Sequence, residues 1–239
     1  MKKLFSLFVL LMMALGLGTT MTSCSKNEDN PTEYLAVVTV VPGTGQAGMA
    51  LRVDENTVLH PTNITHSPFD KEVRAFVRYY KNGTQTSAGM TDVNVTWMDD
   101  MLTKDLAENK GAENATAYGS DPVELFNDWC TVAEDGYMTL HFSTIFGQGA
   151  THYINMVNVS DADHPLKFRL YHDAKGDKIG RERDSFVAFK MFDRAAYDKD
   201  VTIELEWDSF SGVKTAQFKH NAPKPVASTS EVTVNHDWK

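Results

Sequence analysis

The side chains best able to do chemistry are eight histidines and an excess of carboxylates, 32 Asp and Glu against 23 Lys and Arg. None of the histidines sits two or four residues from another histidine or a cysteine in a recurrent metal-ligand pattern. Asp161 and Asp163 beside His164 could chelate a divalent ion, but before Pro165 they read as ordinary turn chemistry. The stretch from Asp173 to Lys178 has acidic residues at the first and fifth positions of a calcium loop. It fails at Lys175, at Lys178 where glycine is required, and at Asp184 where a bidentate glutamate is required. Asp99 and Asp100 are adjacent in a strand pattern and point to opposite faces, which unsuits them to paired acid–base work. There is no Gly-x-Ser-x-Gly elbow, no phosphate-binding glycine loop and no His-Glu-x-x-His. The expectation is a protein that is not an enzyme, with no catalytic residue, no metal and no cofactor; the alternative is a hydrolase whose site is assembled from distant residues. His152 is expected to be a hydrogen-bonded packing residue.

Of the two cysteines, position assigns chemistry only to the first. Lys2 and Lys3 precede an apolar run from Leu4 to Leu17, shorter than the roughly 20 residues a spanning helix needs. The run ends at Met21-Thr22-Ser23-Cys24, which resembles the lipobox of bacterial lipoproteins. The resemblance implies a signal peptide over 1–23 and a lipid on Cys24. Cys130 is then the sole thiol of the mature chain, and beside Trp129 it reads as a small buried hydrophobe. Residues 24–33 carry no apolar side chain after the cysteine and read as a flexible tether of roughly 17 Å. Glu28 and Asp29 are similar to the acidic cluster of surface-exposed lipoproteins of Bacteroidota, which implies an outer-membrane protein facing outward, with a periplasm-facing one as the alternative. The formal charge is −9, and loss of Lys2 and Lys3 with the leader takes it to −11. Such a surface repels phosphate backbones and anionic lipid, so nucleic acid is excluded as a partner and membrane contact is left to the acyl chains.

Two-residue alternation dominates the rest, the period of a strand with one face buried. Val73, Ala75, Val77 and Tyr79 oppose Glu72, Arg74 and Arg78; Val93, Val95 and Trp97 repeat the pattern, and Asn82-Gly83 between them predicts a tight hairpin turn. Tyr34 to Val41 is apolar on both faces, as a strand shared between two layers must be. Residues 103–120 turn polar and read as a linker that could hold a short helix over 103–110. Alternation resumes through Met138-Leu140-Phe142, Tyr153 to Val157, Leu166-Phe168-Leu170 and Val201-Ile203-Leu205-Trp207, with Ser185 to Phe192 apolar enough to be central. Many short strands with regular turns predict a sandwich or barrel. Residues 221–239 read as a loose tail, with an edge strand near 231–234 as the minority alternative.

Met101-Leu102-Thr103-Lys104-Asp105, Gly119-Ser120-Asp121-Pro122-Val123 with Trp129, His152 to Val157 and Leu166-Lys167-Phe168-Arg169 together resemble the NigD-like lipoproteins of Bacteroidota. Phe126-Asn127-Asp128 departs from the more apolar family pattern. The resemblance implies an all-β chain: an OB-like barrel over 34–102, then a β-sandwich over 121–220. It carries no established activity, so no catalytic residue transfers, and only the family's name suggests bacteriocin immunity or antagonism. OB barrels hold ligands on aromatic side chains of their sheet surface. Phe76, Arg78 and Tyr80 on the outer face of one strand are therefore the candidate ligand residues, with closure of the interdomain contact as their alternative role. The expected function is a binding or accessory module of the envelope, its partner a protein or a glycan.

Overall fold

The computed structural model describes residues 31–43, 48–85, 90–147 and 149–223. The predicted leader, Cys24, most of the tether and the 231–234 segment lie outside the described residues.

Five strands, β1 (Glu33–Val41), β2 (Ala50–Arg52), β3 (Val58–Pro61), β4 (Val73–Gln85) and β5 (Thr91–Asp100), close into a barrel in the order β1-β2-β3-β5-β4. β3 and β5 run parallel and the other pairs antiparallel. Alternation explains the interior: Val38, Val40, Leu51, Leu59, Val73, Ala75, Val77, Val93 and Val95 are buried there. Each fully buried aliphatic side chain contributes about 1.5–3 kcal/mol. The tether ends one residue earlier than its polarity suggests, because Glu33 already pairs opposite Tyr80.

The second layer system begins almost at once. β6 (Leu102–Asp105) is followed by a short 3₁₀ turn, helix α1 (Asn114–Tyr118), β7 (Glu124–Leu125), β8 (Val132–Glu134), β9 (Tyr137–Phe146), β10 (Tyr153–Asn158), β11 (Lys167–Asp173), β12 (Arg181–Lys190), β13 (Val201–Ser209) and β14 (Gly212–His220). One sheet has the order β10-β11-β13-β14, the other β6-β12-β9-β7 with β8 beside β9. Met138, Leu140, Phe142, Met156, Phe168, Leu170, Val187, Phe189, Ile203 and Leu205 fill the space between them. β12 is interior to its sheet, as its apolar run predicts.

Three expectations are corrected. Trp97 does not continue the buried face of Val93 and Val95: the register shifts between Arg78 and Tyr79, which sets Trp97 opposite Arg78 on the outer face, 44% exposed. Asn82-Gly83 does not close the hairpin: β4 runs through it to pair Gln85 with Thr91, and Gly83, at φ 73°, falls in a register shift between Lys81 and Gln85. Positive φ can serve a bulge as well as a turn. The stretch 103–120 is not a free linker, because Leu102 to Asp105 pair in parallel with Val187 to Lys190. Its helical turn lies at 111–118 rather than 103–110. Asn114 fixes that turn, accepting the Lys110 N–H at 2.8 Å and donating to Asn109 Oδ1. Polarity there reflects loop hydrogen bonding at the edge of a sheet.

Candidate binding surface

One residue, Met101, separates the last barrel strand from the first strand of the sandwich, and it is buried between the two with Val37, Tyr137 and Ala188. The Met101 N–H donates to Arg74 O, and the Arg74 N–H donates to Thr103 Oγ1, both at 3.0 Å. The outer face of β4 is thereby pressed onto the outer face of the β9/β12 sheet. Arg74, placed by its alternation on the solvent side of the barrel, is fully buried in this contact. Its guanidinium donates to Thr39 Oγ1 at 3.0 Å and Thr139 Oγ1 at 3.2 Å, with Nη2 3.6 Å from Glu134 Oε2. Burial pushes the Glu134 carboxyl up to about 7 in spite of that guanidinium, and burial also lowers the Arg74 pKa against the pull of Glu134 and Asp135.

Around Arg74 lies a ring of cross-domain bonds. Arg52 donates to Asp135 at 2.7 Å, the Asp135 N–H donates to Glu55 at 2.8 Å, and Glu55 lies 2.5 Å from His220. Glu72 accepts from Tyr137 and Arg194, each at 2.7 Å. Burial opposes ionisation of Glu72, but the Tyr137 bond and the Arg194 charge win and hold its pKa low. These bonds tie the barrel to the sandwich along the rim of their contact.

On that rim, at the edge of the barrel, three aromatic rings stand side by side across the sheet. Phe186 of β12 stacks on His141 of β9 at 4.3 Å between centroids, and His141 stacks on Phe126 at 4.2 Å. Rings on neighbouring strands meet this way because strands are about 4.8 Å apart. His141 holds Asp128 through Nδ1 at 2.6 Å and Asp184 through Nε2 at 3.0 Å. Both ring nitrogens can donate only in the imidazolium. Partial burial works against that charge, but the Asp128 and Asp184 bonds raise the His141 pKa overall. Phe76 of the barrel meets Phe186 edge-on at 4.8 Å and Trp129 at 6.1 Å.

The surface continues onto the barrel. Leu35, Arg78 and Trp97 form one cross-strand rung, and Val37, Phe76 and Asp99 the next. Arg78 lies over the Trp97 ring at 5.6 Å. Exposure is 47% at Leu35, 44% at Trp97, 36% at Trp129 and 39% at Phe126, so a strip of apolar and aromatic groups runs from one domain to the other. Exposed apolar surface of this continuity is a feature of interaction sites.

Of the residues singled out from sequence, Phe76 sits at the junction, touching the sandwich, and is part of both the contact and the strip. Arg78 is exposed beside Trp97. Tyr80 is half-buried at the far end of the same face, opposite Glu33 and Asn94. Trp129, Phe186, His141 and Phe126 were not anticipated as a group. The departure of Phe126-Asn127-Asp128 before Trp129 from the more apolar family pattern was the one available signal. Cys130 is buried, and burial pushes its thiol up to about 12, which suits a packing residue. Asp161 Oδ1 accepts the N–H groups of Asp163 at 2.9 Å and His164 at 2.7 Å, a turn. Among the described residues no group of three or more His, Cys, Asp or Glu converges as metal ligands do.

Two sequence profiles match: the NigD-like N-terminal OB domain over residues 37–101 and the NigD-like C-terminal beta sandwich domain over 105–220. Comparison with curated proteins finds no significant match. A solved protein of Parabacteroides distasonis, described as toxin-related, superposes with a TM-score of 0.61 at 26% identity, over 80% of this chain and 94% of that one. A protein of unknown function from Bacteroides vulgatus gives 0.62 at 16% identity, over 85% and 97%. A NigD-like immunity protein from Bacteroides caccae gives 0.51 at 17%, over 79% and 97%. The last two establish shared fold only.

Proposed function

Since the chain belongs to the NigD-like family, we propose that it is a non-catalytic binding or accessory lipoprotein of the cell envelope, held by a lipid on Cys24 at the outer membrane and facing outward. Its partner is a protein that docks along the strip from Leu35 and Trp97 to Trp129 and Phe126. The observation that carries the reading is that strip, exposed on both domains and running beside the Arg74 contact that joins them. His141 is stacked between Phe126 and Phe186, so each of those rings has one face occupied, which leaves less ring face for a sugar to stack on and favours a protein surface. Asp99, Asp128 and Asp184 rim the strip, offset in part by His141, so the complementary surface has basic groups around an apolar centre. Interfaces of this kind concentrate affinity in a few aromatic anchors.

A photo-crosslinker placed at Trp129 in intact cells is expected to capture one envelope protein, and Trp97→Ser is expected to reduce that adduct at least fivefold. Capture of glycan instead, or of nothing, would remove the reading. Mass spectrometry of the native protein is expected to find an acylated Cys24, and external protease to reach the folded domains; an unmodified amino terminus, or full protection, would remove the tether and the outward orientation respectively. A second reading, immunity or antagonism, draws on the toxin-related relative at 26% identity. Unchanged sensitivity to secreted toxins after gene deletion would end it.

A further inference from the structure

The core face of β12 runs out beyond the hydrophobic core: Phe189 and Val187 are buried, but Ser185 and Arg183 on the same face are exposed. They line an open cleft of about 410 Å³ with Phe146, Gly147, Gly149, Asp177 and Asp184. Its volume is within the range of small-molecule sites, roughly 300–1,000 Å³. One wall is locked by a backbone crossing. A Cβ on Gly147 would lie 1.8 Å from Ile179 O, and one on Gly180 would lie 2.0 Å from Phe146 O, so only glycine fits at either.

Behind Phe146, His152 stacks on its ring at 4.1 Å. A chain of bonds fixes the proton on each nitrogen: Asp121 O can only accept, so His172 Nδ1–H donates to it at 3.3 Å and His172 Nε2 must accept from His152 Nδ1–H at 2.9 Å. His152 Nε2, in a side chain 7% exposed and with no hydrogen-bond partner among the described residues, faces Asp177 Oδ2 at 3.6 Å. Asp177 Oδ2 also accepts the Gly147 N–H at 3.1 Å, which holds this carboxylate against the cleft wall. Asp184 is taken by His141. The charged group of the cleft that makes no hydrogen bond or ion pair with any described residue is Arg183, and the hydroxyl beside it is that of Ser185.

We infer that this cleft is a second binding site, one that takes a carboxylate: the guanidinium of Arg183 receives it, Ser185 adds a hydroxyl, and Phe146 contacts the body that bears it. Arginine's planar fork matches a carboxylate in two parallel bonds, which lysine cannot reproduce. The carboxylate belongs to a sugar acid or to a peptide chain end, and the probes separate the two. Intact protein is titrated with D-glucuronate against D-glucose, and with N-acetyl-Phe-Gly against its C-terminal amide. At least one carboxylate probe is expected to bind tenfold or more tighter than its uncharged counterpart, shifting the amide resonances of Gly147, Gly149 and Ser185. Arg183→Gln is expected to abolish that preference with an unchanged unfolding midpoint, and Arg183→Lys to keep only part of it. Arg181→Gln, one step along the same face and not in the cleft lining, is expected to leave it intact. Equal binding of charged and uncharged probes, no binding of either carboxylate, shifts confined to Phe126 and His141, or an Arg183→Gln protein that binds as before would each overturn the site. Failure of these titrations would leave the strip and its protein partner untouched, since the two share only Asp184.

Discussion

Two stretches of the same pair of strands, two residues apart, have opposite fates. Tyr137, Thr139 and Ala188 on the outer face of β9 and β12 are covered by the barrel, whereas on that face Phe186 is only partly buried where it meets Phe76 at the barrel's edge, and His141 beside it is partly exposed. Each stretch holds a charge in a structured setting: Arg74 against Glu134 in the covered part, His141 between Asp128 and Asp184 in the open part. The covered charge is caged by desolvation and hydroxyl bonds, the open one by two partly hydrated carboxylates. The first should therefore govern stability, and the second should govern the shape of a surface.

That contrast can be broken by substitution. Arg74→Ala removes the partner of a buried carboxyl and of two buried hydroxyls, and is expected to cost about 3–5 kcal/mol in chemical denaturation. A loss below 1 kcal/mol would mean the domains do not depend on the lock. His141→Gln is expected to cost roughly 1–2 kcal/mol and to increase hydrogen exchange at Trp129, because it releases Asp128 from β9. A stability change with no change in exchange at Trp129 would reassign His141 to packing alone.

Acid–base behaviour separates the two stretches further. The Glu134 pKa, raised by burial to about 7 from its ordinary value near 4.5, makes the folded state the better proton binder. Its contribution is fully present below pH 4.5 and is lost as pH rises towards 7, so Glu134→Gln is expected to gain on the native protein across that window. His141 is also raised, from about 6.5, and its contribution is present below that value and lost as pH rises through the folded one. A stability profile of His141→Gln that parallels the native profile above pH 6.5 would exclude the imidazolium clamp. The smallest effect on folding is expected at Trp97, where replacement by Ser should change stability by under about 1 kcal/mol while reducing partner capture.

Little of this contrast is legible in the alternation. The pattern placed Arg74, Phe76, Arg78 and Tyr80 correctly on one face, but period two reports which face a side chain takes, not what covers that face. Arg74 is written in the sequence like Arg78, and one is buried and the other exposed because the sandwich ends between them. The doubly apolar β1 was the readable sign of a covering layer: Val38 and Val40 point into the barrel, and Val37 and Thr39 into the junction. Asn82-Gly83 misled because a two-residue signal for positive φ is satisfied by a bulge too.

The amino-acid sequence alone determined the strand-rich character, the order of barrel before sandwich, the family resemblance and the strongly acidic balance, since each depends on local period, composition or short motifs. Tertiary structure decided the rest: the burial of Arg74, the alignment of Phe76 with Phe186 and Trp129, and the cleft that leaves Arg183 without a partner. Phe76 stands 53 residues from Trp129 and 110 from Phe186, Arg74 stands 65 from Thr139, and the cleft draws on residues 146 to 185. Their proximity follows from which strands pair and where each sheet ends, quantities set by the packing of the whole molecule and carried by no local pattern.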